Sequence, residues 1–195
     1  MISASSATIP SRFADVTGAL RIGVERRNDE GAPKTGDRMP HPHVDSGFTT
    51  REDLDTRIEQ YRHLILGSLD DLSDDQARAV IAPGKPSLLG VVRHTAYVEG
   101  VWFGEAITGH PRSELGLPVA TANSWKTRKT DTVASVTEHC HRIHRHSHEN
   151  LADLDLSDVV SGRGERTVLS LYTHVLSELA WNTGQLDILR ALHGR

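Results

Sequence analysis

Four stretches after residue 50 place apolar residues three or four positions apart, which is the spacing of one face of an α-helix. The first stretch follows Thr50, which with Asp53 resembles a helix N-terminal capping box. The predicted starts of the four helices are Thr50, Ser87, Thr130 or Asp131, and Thr167. No segment alternates apolar and polar residues with a period of two over a useful length. The sequence therefore predicts an all-α protein.

Turn-forming segments separate these helices. A short turn at residues 73–75 is a candidate start for an additional helix, and residues 109–111 contain Gly and Pro that should stop the second long helix. Longer connections follow at residues 111–129 and 155–165. Four long amphipathic helices with two longer connections are typical of a four-helix bundle.

Residues 1–50 differ from the rest of the chain. They are rich in Pro, Gly and Ser and show no sustained apolar period, so we predict a disordered or extended N-terminal arm before a bundle at residues 51–195. Asp15 and the scattered glycines disfavour a transit peptide. Met39 offers an alternative translation start, and mass spectrometry of the native N-terminus would test it.

Composition excludes several classes of protein. The 22 Lys and Arg against 26 Asp and Glu give a formal net charge of −4, and there is no dense basic patch for nucleic acid. The apolar runs are too short to span a bilayer. A lone cysteine, Cys140, excludes an intramolecular disulfide framework and a thiolate zinc cluster. We therefore expect a cytoplasmic protein with no nucleic-acid or membrane partner.

The last predicted helix carries a polar stripe. Each four-residue step along a helix turns the side chain by only about 40°, so His174, Glu178 and Asn182 share one line, with Trp181 and Gln185 inside the same arc. Polar groups beside an apolar face are costly unless a metal ion or a hydrogen-bond network satisfies them. The alternative is an ordinary hydrogen bond on the helix surface.

The second predicted helix adds His94 among apolar residues. A single histidine in such a place is more often a satisfied core residue than a ligand. Two helices that present His and His/Glu toward each other are, however, how helical bundles build metal sites.

Two separated blocks resemble the DinB-like family, in its actinobacterial branch. Residues 87–103 (SLLGVVRHTAYVEGVWF) are similar to the family's "SLLGLVKHLAxVExxWF", and residues 174–190 (HVLSELAWNTGQLDILR) to its final helix, "HxxxExxxHxGHxDxLRE" or "HxxxHRGQ". The start of the third helix at residues 131–133 also fits. The resemblance covers about residues 50–195 and implies a four-helix bundle.

The resemblance also implies a divalent metal, zinc, nickel or iron, held by one residue of the second helix and two of the last. By position these are His94, Glu178 and Asn182. This chain has Asn where the family has His, and an amide oxygen is a much poorer ligand than imidazole for these metals. His174, one turn before Glu178, is a candidate substitute ligand at a different position along the helix axis. The departure puts metal binding in doubt.

The family's activities imply a thiol-dependent enzyme. Its members include mycothiol- and bacillithiol-dependent S-transferases and a mycothiol-dependent maleylpyruvate isomerase, in which a metal would bind the low-molecular-weight thiol as thiolate. The implied substrate is a small electrophile, and the implied assembly is a homodimer. Tyr97, Trp102, Trp181 and Gln185 are the predicted pocket-lining residues. The alternative is a metal-free member that binds a small ligand or does metal-independent chemistry.

Two further features carry weaker hypotheses. Five histidines between His139 and His148 lie on the third helix, with His144 and His148 four positions apart. A surface metal site is one interpretation, and a solvated polar face is the preferred one. Arg163, between two glycines, is a candidate anion contact, for which the alternative is an ordinary solvated loop arginine.

Overall fold

A computed structural model describes residues 50–193, and within them the chain is mainly helical. The helices are α1 (Arg51–Gly67), α2 (Asp74–Arg78), α3 (Leu88–Glu99), a π-helical segment (Gly100–Glu105), α4 (Ala106–Thr108), two short 3-10 helices (Arg112–Leu115 and Thr121–Asn123), α5 (Val133–Leu151) and α6 (Val168–His193). Two short strands, β1 (Val159–Val160) and β2 (Arg166–Thr167), pair antiparallel, Val159 with Thr167 and Val160 with Arg166.

The four long helices α1, α3, α5 and α6 form the predicted all-α bundle, which is confirmed. Helix α3 packs against both α5 and α6, and α6 packs against α1. Arg51 at the start of α1 donates from Nη2 to the carbonyl oxygen of Leu151, 2.5 Å away at the end of α5. Eleven of the twelve residues of α3 are buried, as expected for a helix that is apolar on nearly all sides.

Local sequence signals explain where the helices begin. Thr50 and Asp53 form the predicted capping box, and Ser73 caps α2 in the same way with Gln76. Ser87 caps α3 by accepting from the backbone N–H of Gly90 at 3.1 Å. These side chains satisfy N–H groups that have no partner within the helix.

The predicted start of the third helix at Thr130 or Asp131 is wrong by one or two residues. Thr132 is the N-cap, and it exchanges reciprocal hydrogen bonds with Ser135. The carboxylate of Asp131 is engaged elsewhere, because it accepts from the Arg128 backbone N–H at 2.8 Å and lies 3.4 Å from Arg93.

The second long helix changes geometry partway. Residues Gly100–Glu105 are π-helical before α4 completes the helix, which ends at Gly109 in a left-handed conformation (φ 74°). A Cβ at Gly100 would lie 2.3 Å from Leu117 Cδ1, so the absence of a side chain allows the following connection to pack closely. The π segment carries Trp102, which is only partly buried.

A small hairpin that the sequence pattern did not indicate begins in the connection predicted at residues 155–165 and ends at Thr167. Its strands have two residues each, which is too short for a period-two signal. The loop of this hairpin packs on the end of the second helix, where the Gly162 N–H donates to the Ala106 carbonyl at 3.0 Å. A Cβ at Gly162 would lie 2.2 Å from the Glu105 carbonyl oxygen, so only glycine allows this approach.

None of the helices in residues 50–193 is long and apolar enough to cross a membrane. The predicted N-terminal arm and the alternative start at Met39 lie outside the described residues, and the domain boundary between residues 50 and 51 stays a prediction.

Candidate functional site

His94 is buried in α3 and is held by the connection between α4 and α5. Its Nδ1 lies 2.7 Å from the hydroxyl oxygen of Ser124. Its ring stacks on Trp125 with centroids 3.4 Å apart and planes at 13°, and on Tyr97 at 5.9 Å. One polar contact and two ring contacts therefore fix the orientation of this imidazole.

The hydrogen bonds of Ser124 determine the tautomer of His94. The Ser124 hydroxyl donates its single proton to the Thr121 carbonyl at 2.6 Å, so it accepts from His94 Nδ1–H. Nε2 then carries the lone pair. Among the described residues no side-chain nitrogen or oxygen is fully buried without a hydrogen-bond partner. No described protein group is hydrogen-bonded to Nε2, so this atom is not fully buried and is open to a ligand. Burial lowers the pKa of His94 to about 4, which keeps the ring uncharged at neutral pH.

Gly90 brings the connection onto His94. A Cβ at this position would lie 2.4 Å from the Trp125 carbonyl oxygen. Position 90 is one turn before His94 on α3, so a bare backbone there lets Trp125 approach close enough to stack on the imidazole.

The polar stripe on α6 spans three degrees of burial. His174 is exposed and lies against the Trp102 ring, with centroids 4.4 Å apart, while Glu178 is half-buried and Asn182 fully buried. The Asn182 side-chain amide donates to the Glu178 carbonyl oxygen at 2.8 Å, and its Oδ1 accepts from Gln185 Nε2 at 3.4 Å. The side-chain amide of Asn182 thus finds its hydrogen-bond partners within α6.

The donor set does not fit a three-ligand metal centre. Within residues 50–193 no three His, Cys, Asp or Glu side chains lie together in a way that could hold a metal ion. Asn182 Oδ1 is a neutral amide oxygen that is already hydrogen-bonded. The ligand set of His94, Glu178 and Asn182, with His174 as substitute, stays a prediction.

The predicted pocket-lining residues divide among three environments. Trp102 borders a cavity of about 570 Å³ together with His174, whereas Trp181 and Gln185 border another of about 500 Å³. Tyr97 is buried, and its hydroxyl lies 2.9 Å from Thr121 Oγ1 and accepts from Arg112. The structure therefore does not bring these four side chains into one pocket.

A buried ionic network connects α1, α3 and α5, and sequence reasoning missed it. Glu99, fully buried, accepts from Arg62, whose Nε lies 3.1 Å from Oε2. Arg62 Nη1 also donates to Glu59 at 2.5 Å and lies 2.9 Å from His148 Nε2. The sequence signal that could have revealed it is a glutamate in a helix with no polar face.

Two members of the histidine cluster, His144 and His148, belong to this network. The prediction of a solvated polar face is wrong for His144. His144 Nε2 lies 3.4 Å from Glu99 Oε1, and its side chain is only 13% exposed. Burial, aided by nearby Arg62 and His141, lowers the pKa of His144 to about 4 although Glu99 opposes the shift. The inward position of His144 follows from its alignment with Cys140 and Ser147 on the buried face of α5.

Cys140 is not a candidate nucleophile. Its thiol is 1% exposed, and burial raises its pKa to about 12. The thiolate is the reactive form, so this cysteine is inert near neutral pH.

Comparisons with known proteins agree with the DinB-like resemblance. The model of the mycothiol-S-transferase family matches residues 53–194, nearly three quarters of the chain, and this family lies within the DinB-like superfamily. A search of curated proteins found no match. The match runs from the first turn of α1 to the end of α6. The chain belongs to the mycothiol-S-transferase family.

Proposed function

We propose that this protein conjugates a low-molecular-weight thiol, such as mycothiol, through its sulfur to a small electrophile. The observation that carries the proposal is the family match over residues 53–194. The geometry around His94 supports it, because a fixed, uncharged imidazole with one reachable nitrogen is suited to hold a reacting group.

In this proposal His94 binds the thiol. Ser124 holds Nδ1, and Nε2 accepts a hydrogen bond from the S–H group or donates its lone pair to an ion. A divalent zinc, nickel or iron ion would, when bound, lower the pKa of the thiol and hold it as thiolate. Since the donors do not fit a closed metal centre, no step is assigned to such an ion.

The test of transfer uses mycothiol and monochlorobimane with the wild-type chain. The thiolate sulfur attacks the chloromethyl carbon, a C–S bond forms, chloride leaves, and the thiol proton goes to buffer. Fluorescence and the mass of the conjugate report the product. We expect a rate above that of thiol and electrophile alone. An unchanged rate with monochlorobimane and with a panel of epoxides, quinones and unsaturated acids would retire the transferase proposal.

A second candidate, a metal-free member of the family, is favoured by Asn182. This residue is fully buried and hydrogen-bonded within α6 rather than turned to an open ligand position. In this proposal the polar line of α6 supports a bound ligand, and no metal is required.

Elemental mass spectrometry of untagged protein distinguishes the two candidates. The metal-dependent proposal expects near-stoichiometric metal in the wild type and no metal in His94→Ala. It also expects Asn182→His to raise the affinity of the protein for the metal. The metal-free proposal expects no metal in the folded wild type and lower activity in Asn182→His, because that change breaks two hydrogen bonds.

We also infer the homodimer that the family resemblance implies. An exposed apolar surface supports it: Trp181 is 70% and Ile188 64% exposed on α6, beside Leu192 at 40%. We expect Ile188→Glu to shift the mass seen by light scattering from two chains to one. Leu64→Glu, at a similarly exposed position on α1, is the control. A wild-type monomer at all accessible concentrations would contradict the dimer.

A further inference from the structure

A cavity of about 570 Å³ opens beside the first turns of α6. Its volume lies in the range typical of small-molecule sites. It shares no lining residue with the groups that contact the His94 ring. The lining residues are Trp102, Arg166, Thr167, Leu169, Ser170, Leu171, Thr173, His174 and Ser177.

The charge of this cavity is positive. Arg166 is basic, while none of the lining residues is acidic. The guanidinium of Arg166 lies over the Trp102 ring with its Cζ 5.1 Å from the ring centroid. A cation held by an aromatic face is fixed in position without losing its charge, so its N–H groups stay available to an anion.

Arg166 differs in this respect from the neighbouring arginine. Arg163 also lies over Trp102, at 5.6 Å, but it contacts the Glu105 carboxylate at 3.3 Å. Glu105 in turn accepts from Arg112 at 2.5 Å. Within residues 50–193 Arg166 takes part in no ion pair, so it is the uncompensated cation at this cavity and Arg163 is not.

Three of the four hydroxyl groups that line the cavity already donate hydrogen bonds. The hydroxyls of Ser170, Thr173 and Ser177 donate to carbonyl oxygens at 2.7, 2.9 and 2.8 Å. The first backbone N–H groups of α6, at Val168 and Leu169, donate to carbonyls of the preceding connection, both at 2.9 Å. The helix end therefore provides no anion site, and the guanidinium of Arg166 is the main donor left.

We propose that this cavity binds a small-molecule carboxylate with an apolar body. The carboxylate pairs with Arg166, whose planar fork matches two oxygens. The apolar body contacts Leu169, which is 45% exposed, and the edge of Trp102. This site goes beyond the proposed transferase function, because none of the residues that line it contacts the His94 ring.

The test is a direct binding measurement by calorimetry, with trans-cinnamate as the probe and no thiol present. We expect Arg166→Gln and the neutral analogue trans-cinnamamide each to weaken binding by at least about tenfold, since each removes a charge-assisted hydrogen-bonded pair. Arg145→Gln, which removes an equal charge from an exposed position on α5, should change the affinity less than about twofold. Arg166 is exposed in the hairpin, and circular dichroism checks that its variant is folded.

Three results would overturn the inference: no cinnamate binding by the folded wild type at millimolar concentration, equal affinities of wild type and Arg166→Gln, or equal affinities for cinnamate and cinnamamide. Inorganic phosphate that displaces cinnamate and binds more tightly would overturn the carboxylate assignment. Because no thiol is present, this experiment is separate from the transfer assay. Arg166-dependent binding without any thiol conjugate would retain the site and retire the transferase.

Discussion

Glu99 shows how a single residue sets the chemistry of the bundle interior. Its carboxylate is fully buried, and Arg62 neutralises it from α1. The sequence placed Glu99 in an apolar helix but could not name its partner, because Arg62 lies 37 positions away on another element. His94 could be singled out from the sequence as a histidine among apolar residues, whereas Ser124, which determines its tautomer, lies in a connection without periodicity.

Removing Arg62 should destabilise the protein strongly. Arg62→Met leaves the Glu99 carboxylate buried without its cation, which typically costs about 3–5 kcal/mol. Urea denaturation of the variant measures the loss. Arg145→Met removes an exposed arginine 3.8 Å from Glu138 and should cost less than about 1 kcal/mol. Similar costs for the two variants would contradict the assigned role of the network.

His144 should make stability depend on pH in the mildly acidic range. Its pKa is about 4 in the folded protein against an ordinary 6.5, so the folded state binds fewer protons and acid favours unfolding. The groups that face it are Glu99, Arg62, Glu59 and His141. Its contribution is complete above about pH 6.5 and is lost as the pH falls from there toward about 4, by on the order of 3 kcal/mol at most.

Unfolding free energies measured between pH 4 and 7 test this dependence. His144→Gln should flatten the profile relative to wild type in that window. His63→Gln, on the exposed face of α1, should leave the profile unchanged. Parallel profiles for wild type and His144→Gln would show that another group is responsible.

At the scale of elements, helix starts were the most predictable feature. Capping residues are local signals, and Thr50, Ser73 and Ser87 each cap a helix where the sequence indicated. The π segment and the small hairpin were not predictable, because tertiary contacts determine both. Leu117 packs against Gly100 at the π segment, and Gly162 of the hairpin loop packs against the end of the second helix.

Gly90→Ala should separate α3 from the connection that holds His94. The added Cβ would lie 2.4 Å from the Trp125 carbonyl oxygen, so the backbone must shift at a cost of about 1–3 kcal/mol. Gly184→Ala is a matched control in α6, where a Cβ meets nothing within 4 Å and alanine should stabilise the helix by about 0.5–1 kcal/mol. Thermal unfolding should therefore shift in opposite directions, and a neutral Gly90→Ala would contradict this packing.

At the scale of the whole molecule, periodicity and the two sequence blocks were enough to predict the bundle and the family. The arrangement of the site was less predictable, because the π segment and the connections decide which side chains share a cavity. Trp102 and Trp181 were expected in one pocket and border two. The arrangement of the site thus depends on connections that pack on helices whose positions the sequence predicts.

The most direct test of the account is the rate at which mycothiol is conjugated to monochlorobimane by His94→Ala compared with His63→Ala. His94 is the fixed, uncharged imidazole of the proposed thiol site, whereas His63 is exposed on α1. The account predicts that His94→Ala loses at least about tenfold in kcat/KM, a difference of about 1.4 kcal/mol in transition-state stabilisation, while His63→Ala retains the wild-type value. Equal activity of the two folded variants would contradict the placement of thiol transfer at His94.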